Sequence, residues 1–334
     1  MSGEPDRGDD GAPATPRAGG GRHRARRSRT RSVLLALLAV LVVVAGLAVG
    51  LGTLRVDTVA EDVDRVADPF PDEQDRPEVA GTAQEARTFL VVGVDPADVA
   101  TGATRAEAAL LVRLTGDRRH AQVVTFPLDT WVAGRSTTLE GAFGAEGPQG
   151  VVGAVETLTG VRVDHYAELD YSGFATVTDA LGGVSVDVPE EYGNQGRTFA
   201  PGLQQMDGAA ALAYVRDASA ATRPGAPERQ QRVVQALFDR LGELGALSDL
   251  GRLTGVLDSV TGALRVDDSL ADEDLVATAW EFRGVGEPEF ISVPVGAAGE
   301  EQGRPVTRLD EERAGALWGH LRADDLAAHL GEFR

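Results

Sequence analysis

TLTGVRVDHYAELDYSGFATVTDALGGVSVDVP, Thr157 to Pro189, sets the fold class. Inside it HYAEL (His165 to Leu169) has the length and composition of a strand. YSGFATVTDALGG (Tyr171 to Gly183) reads as a helix stopped by paired glycines, and VSVDVP (Val184 to Pro189) is a strand ended by proline. The same rhythm continues on both sides. RTFLVVGVD (Arg87 to Asp95), AALLVRL (Ala108 to Leu114) and AQVVTFP (Ala121 to Pro127) are apolar runs of strand length. GPQGVVGAVETLTG (Gly147 to Gly160) spaces Val151, Val155 and Leu158 on one helical face and closes with Gly160 as C-cap. Downstream, MDGAAALAYVR (Met206 to Arg216) is a helix that Asp207 is placed to cap, and ERQQRVVQALFDRLGEL (Glu228 to Leu244) is amphipathic with Val233, Leu237 and Leu241 inward. DLVATAWEFRGV (Asp274 to Val285) and EFISVPV (Glu289 to Val295) add a helix and a strand. Strands alternating with helices imply an α/β fold, a layered domain with a central mixed sheet flanked by helices. It is expected over residues 87–325, with 326–334 as a C-terminal tail.

The front of the chain is different in kind. Residues 1–32 carry eight arginines, six of them between Arg22 and Arg31, with almost nothing apolar, and read as a disordered basic tail. Residues 33–54, VLLALLAVLVVVAGLAVGLGTL, hold no charge over 22 positions. At about 1.5 Å rise per residue that run is long enough to cross a bilayer core of roughly 30 Å, so one transmembrane helix is expected to precede the domain. A cleaved secretory signal fits less well, because its apolar region is shorter and no clear A-x-A site follows. Arginines before the span and Asp57, Glu61, Asp62 and Asp64 after it place the N-terminus in the cytoplasm and the domain outside the plasma membrane. Residues 55–86, acidic and containing prolines, read as a stalk. The net charge of −20 divides into +4 for residues 1–32 and −24 for the rest. An exterior so acidic repels a nucleic-acid backbone, which excludes nucleic acid as a partner. With no Cys the exported domain has neither disulfides nor thiolate chemistry, and with no Lys every cationic contact falls to Arg.

Three segments carry a family resemblance: TFPLDT (Thr125 to Thr130), the Thr157 to Pro189 stretch, and YVRDASAATRPGAPERQQR (Tyr214 to Arg232). In that order and at those spacings the chain resembles the LytR-CpsA-Psr family over about 240 of its 334 residues. That resemblance implies a membrane-anchored envelope protein acting on a glycopolymer linked to a polyprenyl pyrophosphate, with peptidoglycan as acceptor. It also implies a divalent metal, Mg²⁺, and arginines around the pyrophosphate. Carried over position by position, Asp95 matches a metal-associated aspartate. The family's R-S-D-T reads Arg105-Ala106-Glu107-Ala108, so Glu107 stands as the second metal carboxylate and Arg105 is kept. P-R-D reads Pro127-Leu128-Asp129, keeping Asp129 and losing an arginine. K-I-N-A-x-F reads Thr138-Leu139-Glu140-Gly141-Ala142-Phe143. In the last motif Arg216, Arg229 and Gln230 match, while Ala218 and Ala226 stand where arginines are expected and Arg223 stands for an aspartate.

The resemblance thus implies catalytic Arg105, Asp129, Arg216, Arg229 and Gln230, with Arg105, Arg216 and Arg229 on the pyrophosphate and Asp95 and Glu107 on Mg²⁺. Removing one preorganised charge donor typically costs about 3–4 kcal/mol of transition-state stabilisation. With Leu128, Ala218 and Ala226 in place of arginines, the expectation is a protein that binds the lipid-linked polymer with weak or lost phosphotransferase activity. Two alternatives stay open: an active transferase with a remodelled site, and a non-catalytic scaffold or regulator of envelope assembly. His165 and Trp131 are expected to serve strand entry and core packing.

Overall fold

The structure is a computed structural model that describes residues 64–98, 103–194, 196–215, 264–270 and 288–333, together with residues 229, 232, 233, 236, 237, 239, 240, 281 and 285. The expected membrane span, 33–54, lies outside them. Among the described residues no helix is long and apolar enough to cross a membrane.

The chain enters as β1 (Asp64–Val66) and runs through β2 (Arg87–Asp98), β3 (Ala103–Leu114) and β4 (Ala121–Phe126). A short ribbon, β5 (Trp131–Val132) with β6 (Thr137–Thr138), leads into α1 (Leu139–Thr159). Then come β7 (His165–Asp170), α2 (Tyr171–Ala180), β8 (Val184–Val188), β9 (Tyr192–Asn194), β10 (Arg197–Phe199), β11 (Gly202–Met206) and α3 (Gly208–Val215). The C-terminal part holds β12 (Leu264–Asp267), β13 (Glu289–Ser292), β14 (Val295–Glu301), β15 (Arg304–Leu309), α4 (Glu311–Ala323) and α5 (Leu326–His329).

Seven strands form one mixed sheet in the order β1-β12-β7-β2-β3-β4-β13. β2 with β7, β4 with β13 and β1 with β12 are parallel, and the remaining neighbours are antiparallel. The central strands are near-continuously apolar because both faces are covered. Phe89, Val91, Leu110, Val112 and Val123 join the layer that holds α2, α3, β8 and the helical residues Val233 and Leu237. Leu90, Val92, Leu111 and Val124 face the layer of α1, α4 and α5. Deleting one such buried Leu or Ile to Ala costs about 2–5 kcal/mol in comparable cores.

The layered α/β architecture and its mixed sheet are as expected, and the local signals hold in detail. Asp207 accepts from the Ala210 amide at 2.6 Å at the start of α3, and Gly160 (φ 62°) closes α1. Several readings change. α1 starts at Leu139, capped by the Thr138 hydroxyl, and kinks at Gly147 (φ 63°, ψ −143°) before Pro148. Only glycine takes that backbone cheaply, so the break confined the sequence reading to its second half. VSVDVP is a strand, but β8 pairs with β11 in a separate hairpin rather than entering the sheet. The described part of the segment read as a stalk, 64–86, belongs to the domain. β1 is a sheet strand, and Arg76 inserts an ion pair with Glu156 at 2.9 Å, their side chains 7% and 2% exposed. The segment read as a tail is docked likewise, through buried Leu326 and Leu330. Trp131 is half-buried at the ribbon.

Candidate functional site

The register of the sheet brings Asp95, Arg105, Glu107 and the loop of Asp129 to one end, here the upper end. β2 finishes there and β3 begins there, with Asp95 paired to Arg105. Gly93 pairs with Ala108 but Val94 pairs with Ala106, so Glu107 is the extra residue of a β-bulge. A bulge re-aims a side chain and bends its strand, which sets Glu107 apart from the regular alternation. β4 also ends here. The loop after it is stitched to the first turn of α1, Thr130 O accepting from Leu139 N at 3.2 Å and Leu128 O from Glu140 N at 2.9 Å.

Arg105, Glu107 and Glu140 form one electrostatic group. The Arg105 Nε lies 3.9 Å from Glu140 Oε1, both side chains more than half exposed. Burial pushes the Glu107 carboxyl above its ordinary value of 4.5; Arg105 opposes that shift and Glu140 adds to it. Glu140 also sits in the first turn of the part of α1 before the Gly147 kink, where the partial positive charge of the N-terminus favours an anion. The donors are all oxygens, and the repulsion between Glu107 and Glu140 is the kind a hard cation relieves, so the residues suit Mg²⁺ chemically.

The other expected residues divide. Asp129 is exposed beyond β4, where its Oδ2 accepts from the Thr307 hydroxyl at 2.9 Å and its carbonyl from the Thr307 amide at 3.0 Å. It ties the loop to β15. Leu128 turns toward the apolar layer under α1 and packs against it. Arg229 is buried in the opposite layer, its guanidinium 4.0 Å from the centre of the Tyr192 ring. Tyr192, Phe199 and Tyr214 form an aromatic cluster with centroid separations of 5.0–6.1 Å. Burial raises the Tyr214 hydroxyl above its ordinary range, and Arg232 and Arg229 counter it. Arg216, Gln230, Arg223, Ala218 and Ala226 lie outside the described residues.

Glu140 was read from the sequence as a carboxylate near an anionic substrate, and the structure adds its pairing with Arg105. One participant was not singled out from the sequence as a member of the site. The Tyr192 face under Arg229 had no local signal, because the two meet only through the tertiary fold. Elsewhere His165 lies at the lower end, stacked 5.1 Å from Phe89, with Nδ1 3.5 Å from the fully buried Asp267. Asp267 also accepts from the Tyr166 and Ser269 amides at 3.0 Å. His165 therefore closes a strand entry, away from Arg105.

The comparisons with known proteins agree with this fold. The cell wall biosynthesis protein LcpA of Corynebacterium glutamicum is 27% identical over 263 residues, covering 64% of this chain but 51% of LcpA, so the match spans about half the length of that relative. The polyisoprenyl-teichoic acid–peptidoglycan teichoic acid transferase TagU of Halalkalibacterium halodurans is 25% identical over 248 residues, covering 71% of this chain and 80% of TagU. Among solved structures, Bacillus subtilis TagV superposes with a TM-score of 0.58 at 20% identity, covering 72% of this chain and 98% of TagV. TagT bound to LI-WTA gives 0.57 at 21% identity, covering 75% of this chain and 94% of TagT. The LytR_cpsA_psr family model matches residues 57–323. With that match across most of its length, the chain belongs to the LytR-CpsA-Psr family.

Proposed function

We propose that this protein is a membrane-anchored cell-envelope member of its family that binds a polyprenyl-(pyro)phosphate-linked glycopolymer and transfers it to peptidoglycan weakly or not at all. Its relatives support the glycopolymer and the acceptor, since TagU and TagV are named teichoic acid–peptidoglycan transferases. The charge-free run 33–54 supports a single-pass anchor, with the folded part outside the plasma membrane.

One observation carries the weakened chemistry. The retained Arg105 lies 3.9 Å from Glu140, and the first amides of α1 are already bonded to Thr130 O, Leu128 O and the Thr138 hydroxyl, so the helix start offers an incoming anion few free donors. Leu128, in the position of an expected arginine, packs into the core instead of reaching the site. A phosphate entering here competes with Glu140 for Arg105 and meets fewer cations than the reaction calls for. Mg²⁺, held by Asp95 and Glu107, would supply charge neutralisation at the phosphates and ease the repulsion between Glu107 and Glu140. Arg229 and Arg232, anchored by Tyr192 and Tyr214, position positive charge from the other layer, with Arg216 and Gln230 of the same motif beside them in sequence. Binding survives such losses better than turnover, because a prenyl tail gains roughly 0.8 kcal/mol per buried methylene whatever the charges do.

The test is single-turnover transfer from a lipid-pyrophosphate substrate by the full chain in detergent, with and without Mg²⁺ and beside Asp95→Ala, while lipid binding is followed in the same samples. Binding with little or no turnover is expected. Mg²⁺-dependent turnover at the rate of an active relative, abolished in Asp95→Ala, would overturn the reading in favour of an active transferase with a remodelled site.

A further inference from the structure

The C-terminal end of the chain holds a group that the glycopolymer reading leaves unused. His320 is in the last turn of α4. Asp324 (φ 60°) caps that helix in the left-handed conformation and reverses the chain, its amide reaching back to the His320 and Leu321 carbonyls. α5 and the turn Leu330–Glu332 are thereby laid against α4, and buried Leu317, Trp318, Leu321, Leu326 and Leu330 fix their backbones. The result is that His320 and His329 face each other with ring centroids 3.9 Å apart and planes 19° from parallel. One nitrogen from each ring and one carboxylate oxygen of Glu332 lie within 4.8 Å of one another.

The surroundings are those of a ligating histidine. His320 Nδ1 meets Asp325 Oδ1 at 2.8 Å, and His329 Nδ1 meets Glu332 Oε1 at 3.0 Å. On His320 the Asp325 carboxylate holds the proton at Nδ1, orients the ring and leaves the Nε2 lone pair for a metal, whereas the His329–Glu332 contact joins two of the ligand groups themselves. The His320 side chain is 23% exposed and that of His329 38%, so an ion can enter. The Phe333 ring lies edge-on to His320 at 6.1 Å, and Arg313 bonds the Glu332 carbonyl at 3.3 Å. Two imidazoles and a carboxylate suit Zn²⁺ or another late first-row divalent ion and do not suit Mg²⁺. Zn²⁺ bonds of about 2.0–2.1 Å in a tetrahedron put ligand atoms roughly 3.3 Å apart, so binding requires the two stacked rings to turn until their in-plane lone pairs converge.

We propose that His320, His329 and Glu332 form a transition-metal site, with Asp325 orienting His320 and a fourth position open to water, that clips the C-terminal turn onto α4. α4 runs from Asp310, bonded to the Pro294 carbonyl near the upper end, to Asp324, which accepts from Gly116 near the lower one. The site therefore sits at the lower end of the sheet, apart from Arg105 and Glu107, and stands whether or not the protein transfers polymer.

The experiment uses the full chain in detergent, stripped with a chelator and titrated with Zn²⁺ alone, followed by calorimetry, thermal unfolding and the visible spectrum of the Co²⁺ form. One equivalent taken up with a raised Tm and a tetrahedral Co²⁺ spectrum is expected, and Mg²⁺ should produce none of these. His320→Asn and His329→Asn should each remove the uptake while keeping the apo protein's Tm and far-UV circular dichroism. Asp325→Asn, which keeps a hydrogen bond, should weaken affinity about tenfold. No uptake by the wild type, or uptake unchanged in a His320→Asn, His329→Asn double variant, would sink the proposal; the double variant also separates this site from His23 in the N-terminal segment.

Discussion

At the lower end of the sheet Arg76 and Glu156 are paired with side chains 7% and 2% exposed, and Glu156 also accepts from the Val163 amide at 2.9 Å. Arg113 and Asp324 repeat the pattern with side chains 5% and 11% exposed. At the upper end Arg105 and Glu140 stand 3.9 Å apart with most of both side chains in solvent. The charge of these two lower-end pairs is buried and holds elements together. At the upper end it is exposed, loosely matched and available to a ligand. An arginine in this Lys-free chain therefore means different things according to depth, and sequence position alone does not separate the two uses.

The comparison breaks most visibly if a buried pair is cut. Glu156→Ala leaves Arg76 under the fold without its carboxylate and Val163 without its acceptor, and should cost about 3–5 kcal/mol of stability, read as a lower denaturation midpoint with an unchanged m-value. A surface-sized loss would place Glu156 with the upper-end charges. Next in size, restoring arginines with Leu128→Arg, Ala218→Arg and Ala226→Arg together should raise single-turnover transfer at least about 100-fold. A flat response would mean that the protein is a scaffold whose pocket no longer positions its substrate.

Smaller effects sharpen the contrast. Glu140→Asn should change stability by less than about 1 kcal/mol while tightening inorganic pyrophosphate binding several-fold, because Arg105 loses its competitor. Unchanged pyrophosphate affinity would show that Glu140 does not occupy the anion position. The smallest effect is on pH. Burial raises the Glu107 carboxyl in the folded state above its ordinary 4.5, so between those values the folded state holds more proton than the unfolded one. Stability from this group is accordingly present below the ordinary value and is lost as pH rises through the raised one. Glu107→Gln should remove that part of the pH dependence of Tm, and an identical pH profile in the variant would contradict the burial.

Much of this was legible in the residues. Period and punctuation gave the sheet strands β2, β3, β4, β7 and β13, the second half of α1 and the capped start of α3, because these depend on nearest neighbours in sequence. The failures share one cause. β8 has a strand's alternation, but whether it enters the large sheet or a hairpin depends on β11. Residues 64–86 look like a linker because the pairing of Asp64–Val66 with Arg265–Asp267 and the Arg76–Glu156 contact span 80 residues or more. Asp95, Arg105 and Glu107 were placed together by motif, and the register brings Asp95 and Arg105 face to face. Asp129 was assigned by a separate motif, P-R-D, and in the fold its carboxylate also accepts from the Thr307 hydroxyl. No local rule announces that.

The small outer strand β1 has a consequence for force. It is joined by three residue pairs to β12, and the guanidinium of Arg65 bonds the Leu270 carbonyl. Asp64 is its upper-end residue, so a load applied there along the strand axis falls on the pairing with β12. A load in that direction shears the backbone bonds to β12 together instead of peeling them one by one. Under the proposed anchor at residues 33–54, a pulling experiment from the N-terminal side should find the first yield point at this short strand.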